Sequence, residues 1–287
     1  MEQQQSYKDN KPTLYLVPTP IGNLSDMTYR AVDTLKAVDV IFAEDTRHSG
    51  TLLKHYAIDT PMKSYHKHNE RMRNELIVSN LKEGKNLALI SDAGMPLISD
   101  PGETLVQSVI QAGFHVVSLP GPSAFLTALV ASGIQAQPSL FYGFLPTKPN
   151  ERKKQLKQLK TFPYTLVFYE APHRIKDTLN ALYDIFNNRS VTIAREISKQ
   201  YETYIRTTLD AIDTIPELKG EIVVIVEGFN ETDPLSEDDV IDHIELLIQD
   251  DLSEMQAIKQ VAKQRNMKKN DVYMAYQTHK KHFKGKE

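Results

Sequence analysis

The feature that most constrains this fold is a regular alternation of short apolar runs with helical segments over residues 13–144. The runs predict strands at residues 13–17, 40–43, 87–91, 115–119 and 139–144. The spacing of apolar residues predicts helices near residues 31–38, 46–56, 69–82, 102–112 and 122–132. Strands joined through helices run parallel in one sheet, and ligands bind such sheets beyond the carboxyl ends of the strands. We therefore predict an α/β fold whose functional residues lie in the loops that follow the strands.

The chain after residue 145 follows a different pattern. Two prolines and a basic helix at 145–160 interrupt the alternation. Further strands are predicted at residues 164–170, 190–196, 203–209 and 220–228, with one long helix at 172–187. The runs between residues 190 and 209 leave no room for a crossover helix, so we expect an antiparallel or mixed sheet.

A polar segment, residues 232–239, leads into three short predicted helices at 236–249, 253–264 and 270–281. The last two have the outline of a helix-turn-helix, with a turn near Arg265-Asn266-Met267. We therefore expect three segments: an α/β domain at 1–145, a second α/β domain at 150–229 and a helical tail at 236–287.

Composition excludes several classes of protein. The 287 residues are 40% hydrophobic and 25% charged, which is typical of a soluble globular chain. No apolar run approaches the roughly 18 residues that a membrane span needs, and the N-terminus lacks the apolar core of a signal peptide. The absence of cysteine excludes disulfides and thiolate metal sites. We expect a cytoplasmic protein with no membrane partner.

Four loops at predicted strand ends are rich in glycine, proline and turn residues. They are residues 18–23 (PTPIGN), 90–102 (ISDAGMPLISDPG), 120–124 (PGPSA) and 169–174 (YEAPHR). Glycine and proline let main chain approach a ligand closely, and the helix start at Ser123-Ala124 offers free N–H groups. Together the loops predict a cleft for a small polar molecule.

Several common motifs are missing. The first strand is not followed by G-x-G-x-x-G, and neither a P-loop nor a G-x-S-x-G elbow occurs. His66 and His68 have the spacing of metal ligands, but no third ligand stands at a recognisable distance. We predict no metal site and expect these histidines to face solvent or RNA.

The loops, taken in order, resemble the tetrapyrrole methylase superfamily. The segments PTPIGNL, AEDTRHSG, ISDAGMPLISDPG, SLPGPSA, FYGFLP, FYEAPHRI, TIAREISKQYE and GEIVVIVEG carry the resemblance over residues 13–228. AEDTRHSG and FYEAPHRI are specific to its ribosomal RNA branch, the small-subunit rRNA (cytidine-2'-O)-methyltransferases. The tail segment KKNDVY also fits the C-terminal extension of that branch.

The resemblance implies two α/β domains with S-adenosylmethionine in the cleft between them, and a homodimer. It implies methylation of a cytidine 2'-hydroxyl in 16S ribosomal RNA at the decoding centre of the 30S subunit. The positions implied to bind the cofactor are Pro18, Asp92, Ala93, Gly94, Ile98, Ser99, Asp100, Gly121, Pro122, Ser123, Ala124, Tyr142, Glu170, Glu221 and Ile222.

A ribose hydroxyl is a weak nucleophile and gains from a general base as its proton leaves. The candidate bases are Glu44, Asp45, Glu170 and His173, and the residues alone do not select one. Arg47, Arg174 and Arg195 are candidates for binding the flanking phosphates. Arg195 has an alternative role, an internal ion pair with Glu196.

Two positive regions are candidates for binding RNA. Five of the ten residues 151–160 are Lys or Arg, and residues 254–287 carry nine basic residues against three acidic ones. The specific candidates are Arg152, Lys153, Lys154, Lys268 and Lys269. Residues 229–253 carry nine acidic residues and no Lys or Arg, so we interpret them as a spacer between the tail and the catalytic body.

Two alternatives stay open at this stage. A precorrin-type tetrapyrrole C-methyltransferase would share the fold and the cofactor. A non-catalytic RNA-binding protein would share the basic surfaces but would not bind S-adenosylmethionine.

Overall fold

The computed structural model describes residues 3–6, 8–66, 69–230, 237–249, 252–265 and 267–284. The chain divides into two compact units, Met1–Gly228 and Phe229–Glu287. No helix within the described ranges is both long and apolar enough to span a bilayer.

The first sheet of the larger unit is wholly parallel, as predicted. Its strands are β1 (Thr13–Leu16), β2 (Val40–Ala43), β3 (Met62–Ser64), β4 (Leu87–Ile90) and β5 (His115–Ser118). They lie in the order β3-β2-β4-β1-β5, with β1 paired to both β4 and β5. The connecting helices are α1 (Tyr29–Ala37), α2 (Thr46–His55), α3 (Glu70–Lys82), α4 (Glu103–Gln111) and α5 (Ala124–Ala131). The three-residue edge strand β3 was not predicted.

Both faces of the first sheet are buried. Leu87 and Leu89 of β4 belong to one apolar cluster, while Ala88 and Ile90 belong to another on the opposite face. Alternate residues of a strand point to opposite faces, so a central strand covered on both sides must be apolar throughout. This explains why β4 reads as a continuous apolar run.

The second sheet is mixed, which confirms that part of the prediction. Its strands are β6 (Ser139–Phe144), β7 (Thr165–Glu170), β8 (Ser190–Arg195), β9 (Thr203–Thr208) and β10 (Ile222–Val226), in the order β6-β7-β10-β8-β9. Only β6 and β7 pair in parallel. Its helices are α6 (Pro149–Leu159) and α7 (Ile175–Phe186), with a 3₁₀ helix at Leu209–Thr214. The prediction that residues 139–144 belong to the first sheet was wrong, because this strand, β6, pairs with β7 of the second sheet.

Helix α5 joins the two sheets into one unit. Ala128 and Leu129 of α5 are buried in one cluster with Val167 of β7 and Val223 of β10. The opposite side of the helix leaves Leu126 and Val130 exposed, so α5 packs on the second sheet through one face. The loops that precede α5 are therefore held against the second sheet.

The smaller unit contains three helices among its described residues. They are α8 (Glu237–Gln249), α9 (Glu254–Gln264) and α10 (Lys269–Lys284). Ser253 begins α9 with a reciprocal capping box to Gln256, and Ile244, Ile258 and Val272 contribute to a shared core. Residues 232–236 of the predicted polar hinge, and Asn266 in the predicted turn, lie outside the described residues.

Candidate active site

A cavity of about 460 Å³ lies at the edge where the predicted loops meet. The first sheet contributes Glu44, Asp92 and Asp100 to its wall, and the second sheet contributes Tyr169 and Val223. Glu44 directly follows β2 and Asp92 lies two residues after β4, so both stand at the carboxyl edge of the parallel sheet. The volume falls within the range of small-molecule and cofactor pockets.

The loops of the first sheet contact one another through main chain. Thr19 and Gly94 exchange two backbone hydrogen bonds of 3.0 Å, and the Thr19 hydroxyl donates to the Ser91 carbonyl at 3.1 Å. The α-carbon of Gly121 lies so close to the Pro18 ring that an added β-carbon would stand 2.8 Å from it. Glycine is therefore required at position 121, where two loops meet at van der Waals distance.

Three carboxylates share the first wall of the cavity. Asp92 accepts the N–H of Asp45 at 3.1 Å, which links the loops after β2 and β4. Burial, reinforced by the negative charge of Asp92, raises the pKa of Glu44. Burial, followed by the charges of Glu44 and Asp92, raises the pKa of Asp100 to about 6. A carboxylate with a pKa near neutrality is suited to accept a proton during turnover.

Left-handed backbone conformations occur in loops on both sides of the cavity. Leu97 and Ser99 have φ of 71° and 72°, and Glu196 and Ser198 have φ of 50° and 69°. Non-glycine residues adopt such conformations at a cost of about 1–3 kcal/mol each, and they are concentrated at binding sites. Ser99 and Ile197, inside these two segments, both line the cavity.

The second wall consists of side chains. Phe144, Tyr169, Ile197, Ile222 and Val223 present rings and branched side chains to the cavity. The Tyr169 hydroxyl accepts the N–H of Phe125 at 3.3 Å, near the start of α5, and its ring lies edge-on to that of Phe144. Hydrophobic surface therefore faces the carboxylates of the first wall.

Glu170 is buried and fully engaged with protein groups. Its side chain accepts the N–H of Ala171 at 2.8 Å and the hydroxyl of Thr178 at 2.6 Å, and it pairs with Arg174 at 3.4 Å. Arg174 in turn donates to the carbonyls of Leu145 and Pro146. The candidate base Glu170 therefore holds the cavity wall in place, and a proton-accepting role is not supported by this geometry.

Most residues predicted to bind the cofactor come together. Those that line the cavity are Asp92, Ala93, Gly94, Ile98, Ser99, Asp100, Ser123, Ala124, Glu170, Glu221 and Ile222, with the candidate base Glu44.

The other predicted residues lie behind the lining or away from it. Pro18 is buried against Gly121, and Tyr142 packs against Phe168 in the core. Gly121 is exposed and Pro122 is half-buried, and neither is among the lining residues; His173 is exposed outside the cavity lining.

Asp45 is unsuited to act as the base. It begins α2, and the hydrogen bonds from Arg47, first that of the side chain, lower its pKa to about 2. A carboxylate so acidic has little affinity for a proton at neutral pH.

The predicted RNA ligands divide by exposure. Lys153, Lys154, Lys268 and Lys269 are exposed, and the Arg47 side chain is 90% exposed although it pairs with Asp45.

Two predicted RNA ligands are corrected by their burial. Arg152 is 6% exposed, with its guanidinium 3.5 Å from the Thr178 hydroxyl, and Arg174 is committed to two carbonyls. Neither can reach phosphate without leaving its partners. Arg195 is half-buried, and its charge acts on Glu196, whose carboxylate pairs with Lys199 at 2.9 Å.

Three lining residues, Ile21, Met95 and Tyr169, lie in loops that the sequence predicted to form the cleft, although they were not selected as binding residues. Three others were missed altogether: Phe144, Ile197 and Val223. Apolar side chains give no signal that separates a cavity wall from a core. Arg152 did carry a signal, because it shares one helical face with Leu156 and Leu159 at spacings of four and three residues. His68, the second histidine of the considered metal pair, lies outside the described residues.

Comparison with known proteins identifies the family. A model of the family described as Tetrapyrrole (Corrin/Porphyrin) Methylases matches residues 13–213. A Bacillus subtilis (strain 168) protein named Ribosomal RNA small subunit methyltransferase I is 46% identical, with 96% of this chain and 98% of that protein covered. The chain therefore belongs to the tetrapyrrole methylase family, within the group of Ribosomal RNA small subunit methyltransferase I proteins.

Solved structures share the fold at low identity. Uroporphyrin-III-C-methyltransferase from Thermus thermophilus has a TM-score of 0.52 at 17% identity, covering 76% of this chain and 93% of its own. A diphthine synthase has a TM-score of 0.58 at 10% identity, covering 75% and 90%. The two names refer to different substrates, so the fold alone does not define what this cavity accepts.

Proposed function

We propose that this protein uses S-adenosylmethionine to methylate the ribose 2'-hydroxyl of a cytidine in small-subunit (16S) ribosomal RNA. The observation that carries the proposal is the cavity, in which carboxylates of raised pKa face an apolar wall. The name of the Bacillus subtilis relative supports ribosomal RNA as the substrate.

The cavity suits S-adenosylmethionine in charge and shape. The cofactor carries a sulfonium and an ammonium group, and Asp92, Asp100 and Glu221 supply negative charge in the lining. Ile222 and Val223 offer apolar surface for the adenine, and the main chain around Gly94 and Ser123 offers polar groups for the ribose and the carboxylate. When bound, the cofactor supplies an electrophilic methyl group.

The protein's own contribution is to orient the acceptor and remove its proton. Transfer of a methyl group requires the acceptor oxygen to lie in line with the breaking bond, so a rigid wall contributes by positioning. Asp100 and Glu44 are the carboxylates of this wall that have raised pKa values, and each can accept the hydroxyl proton. We assign the base to Asp100, whose pKa of about 6 lies close to neutrality.

Exposed cations supply a surface for the RNA backbone. Lys153 and Lys154 lie on α6, and Lys268 and Lys269 lie in the smaller unit. Lysines that neutralise phosphates contribute affinity that does not depend on sequence and that falls with salt. We propose that both sets bind ribosomal RNA and that the enzyme acts as a homodimer.

The test is incubation of the purified protein with methyl-labelled cofactor and, separately, free 16S rRNA, 30S subunits lacking the modification and a tetrapyrrole precursor. We expect label at a cytidine 2'-oxygen of the rRNA in one or both ribosomal samples. Label in the tetrapyrrole would contradict the proposed substrate. Failure of the cofactor to bind in a calorimetric titration would leave a non-catalytic RNA-binding protein.

A further inference from the structure

One large aromatic residue of the cavity wall is open to solvent. Phe144, the last residue of β6, lines the cavity and is 52% exposed. Its ring lies edge-on to Tyr169, with the ring centres 5.5 Å apart. A single exposed apolar side chain needs no explanation by itself, but a ring that lines a cavity mouth beside another lining ring offers a ligand an apolar surface to bind.

An irregularity in β6 turns Phe144 toward the cavity. The register between β6 and β7 shifts between Phe141 and Gly143, so that Phe144 pairs with Tyr169. In a regular strand Phe144 would share the face of Tyr142, which packs in the core beneath α6 and α7. The bulge places it instead on the face of Tyr169, beside the cavity. Gly143 permits the bulge because its φ is 83°.

The chain after Phe144 is anchored by the buried ion pair. Arg174 donates to the carbonyl of Leu145 at 2.9 Å and to that of Pro146 at 3.2 Å, and it is itself held by Glu170. The Phe144 ring is therefore exposed on a backbone that is fixed on both sides. A fixed aromatic surface loses little conformational entropy when it binds.

The neighbouring segment has the charge that nucleic acid requires. The linker after Phe144 leads directly into α6, which begins at Pro149 and exposes Lys153 and Lys154. Aromatic side chains beside lysines form the usual surface for single-stranded nucleic acid, in which rings stack on bases and cations bind phosphates.

We propose that Phe144 is a stacking platform for a nucleobase of the RNA substrate and thereby fixes the acceptor ribose over the cavity. This role rests on the proposed function and adds a residue that selects an unpaired nucleotide. Stacking on a phenyl ring favours a base that is splayed out of a helix, so the platform accepts single-stranded or extruded nucleotides.

The chain contains no tryptophan, so a single introduced indole reports on this position alone. Phe144→Trp is titrated with S-adenosylhomocysteine and then with a single-stranded RNA oligonucleotide that contains cytidines. We expect quenching of fluorescence on addition of RNA. The matched control is Tyr164→Trp at the opposite end of β7, where Tyr164 is 43% exposed, and RNA should leave its fluorescence unchanged. Quenching by S-adenosylhomocysteine alone, with no further change on adding RNA, would assign the ring to adenine and overturn the proposal.

Kinetics with 30S subunits supply the second measurement. Phe144→Ala should raise KM for the subunit roughly tenfold, the size expected for one stacked base, with the cofactor Kd within about twofold of the wild type. Phe144→Tyr should restore KM, and Tyr164→Ala should leave it unchanged. An unchanged KM in Phe144→Ala, or a loss of cofactor affinity equal to the loss for RNA, would contradict the platform. If wild-type protein methylates neither free 16S rRNA nor 30S subunits, the proposed function fails, whereas the fluorescence titration still tests the stacking role.

Discussion

The two walls of the cavity are built in different ways. The wall from the parallel sheet is largely main chain, with Thr19 and Gly94 bonded through their backbones and Pro18 packed on Gly121. The wall from the mixed sheet is made of side chains such as Tyr169 and Val223. A main-chain wall requires glycine and proline at set positions, so it is visible in the sequence. A side-chain wall depends on register and burial, which the sequence does not display.

The difference also separates the chemical roles. The first wall carries Glu44, Asp92 and Asp100, whose mutual repulsion favours a cationic ligand. The second wall has an apolar surface and a buried pair, Glu170 with Arg174, that supports it. We therefore expect substitutions in the first wall to change the chemistry, and substitutions in the second wall to change stability and the fit of the substrate.

Asp100→Asn should produce the largest effect. Loss of the proton acceptor should lower kcat by roughly 10²–10⁴-fold. A base must be ionised, so the wild-type kcat/KM should rise with pH through about 6 and level off above it, following the raised pKa of Asp100 in the free enzyme. The kcat of the variant at saturating substrates checks the first expectation, and the pH profile of the wild-type kcat/KM, measured with both substrates below saturation, checks the second.

Glu44→Gln sharpens this assignment. The charge of Glu44 contributes to the raised pKa of Asp100, so its removal should move the acid limb of the profile to lower pH while activity remains. If Glu44→Gln loses the activity and Asp100→Asn keeps it, the base is Glu44 and the assignment to Asp100 is wrong.

Glu170→Gln tests the second wall. Removing one partner of a buried ion pair costs about 3–5 kcal/mol, which for a unit of this size lowers Tm by about 6–20 °C. The pH profile of kcat/KM should keep its shape, because Glu170 is not the proton acceptor. The control is Glu151→Gln, which removes the exposed ion pair with Lys148. Exposed pairs of this kind contribute about 0–1 kcal/mol, so the control should lose little of its free energy of unfolding. Loss of the acid limb in Glu170→Gln would restore Glu170 as a candidate base.

A comparison of Gly94→Ala with Gly113→Ala tests whether the main-chain wall contributes to cofactor binding. Both glycines have a left-handed backbone conformation, with φ of 77° and 80°, so each substitution by alanine should lower the free energy of unfolding by about 1–2 kcal/mol. A β-carbon on Gly94 would stand 3.3 Å from Ile21 in the cavity wall, whereas one on Gly113 meets nothing within 4 Å. Calorimetry should therefore show weaker cofactor binding for Gly94→Ala alone. Equal cofactor affinities in the two variants would show that Gly94 does not contribute to the cofactor site.

The smallest effect should come from the exposed lysines. The double variant Lys153→Ala/Lys154→Ala should raise KM for 30S subunits several-fold, while its affinity for the cofactor stays the same. The slope of the logarithm of RNA affinity against the logarithm of salt concentration should fall by about two, which corresponds to two lost phosphate contacts. Lys268→Ala with Lys269→Ala provides the same measurement for the smaller unit. A salt dependence unaltered in both double variants would remove these lysines from the RNA surface.

The sequence predicted the strands and the first wall because their physical causes are local. Apolar runs and helical spacing placed β1, β2, β4 and β5 to within a residue or two. The partner of β6 was missed, since pairing depends on the whole sheet. Helix α7 begins at Ile175, three residues later than predicted, because residues 171–174 form a turn in which the Arg174 N–H donates to the Ala171 carbonyl at 3.0 Å.

The site was predicted where polar residues follow strands and missed where apolar residues turn toward the cavity. Asp92 and Asp100 stand in a loop whose composition identifies it. Phe144 faces the cavity only because a bulge changes its side of the sheet, and a bulge is not readable from FYGFLP. The burial of Arg152 could have been read from its helical face with Leu156 and Leu159, but its hydrogen-bond partner Thr178 could not, because that residue is distant in the sequence.

Hydrogen exchange measured by mass spectrometry with S-adenosylhomocysteine tests most directly whether the two walls form one cofactor site. We predict slower exchange in peptides from both walls, covering residues 91–100 and 220–223, with little change in the groove between α7 and residues 212–218. Protection confined to one wall, or found in that groove instead, would contradict the account.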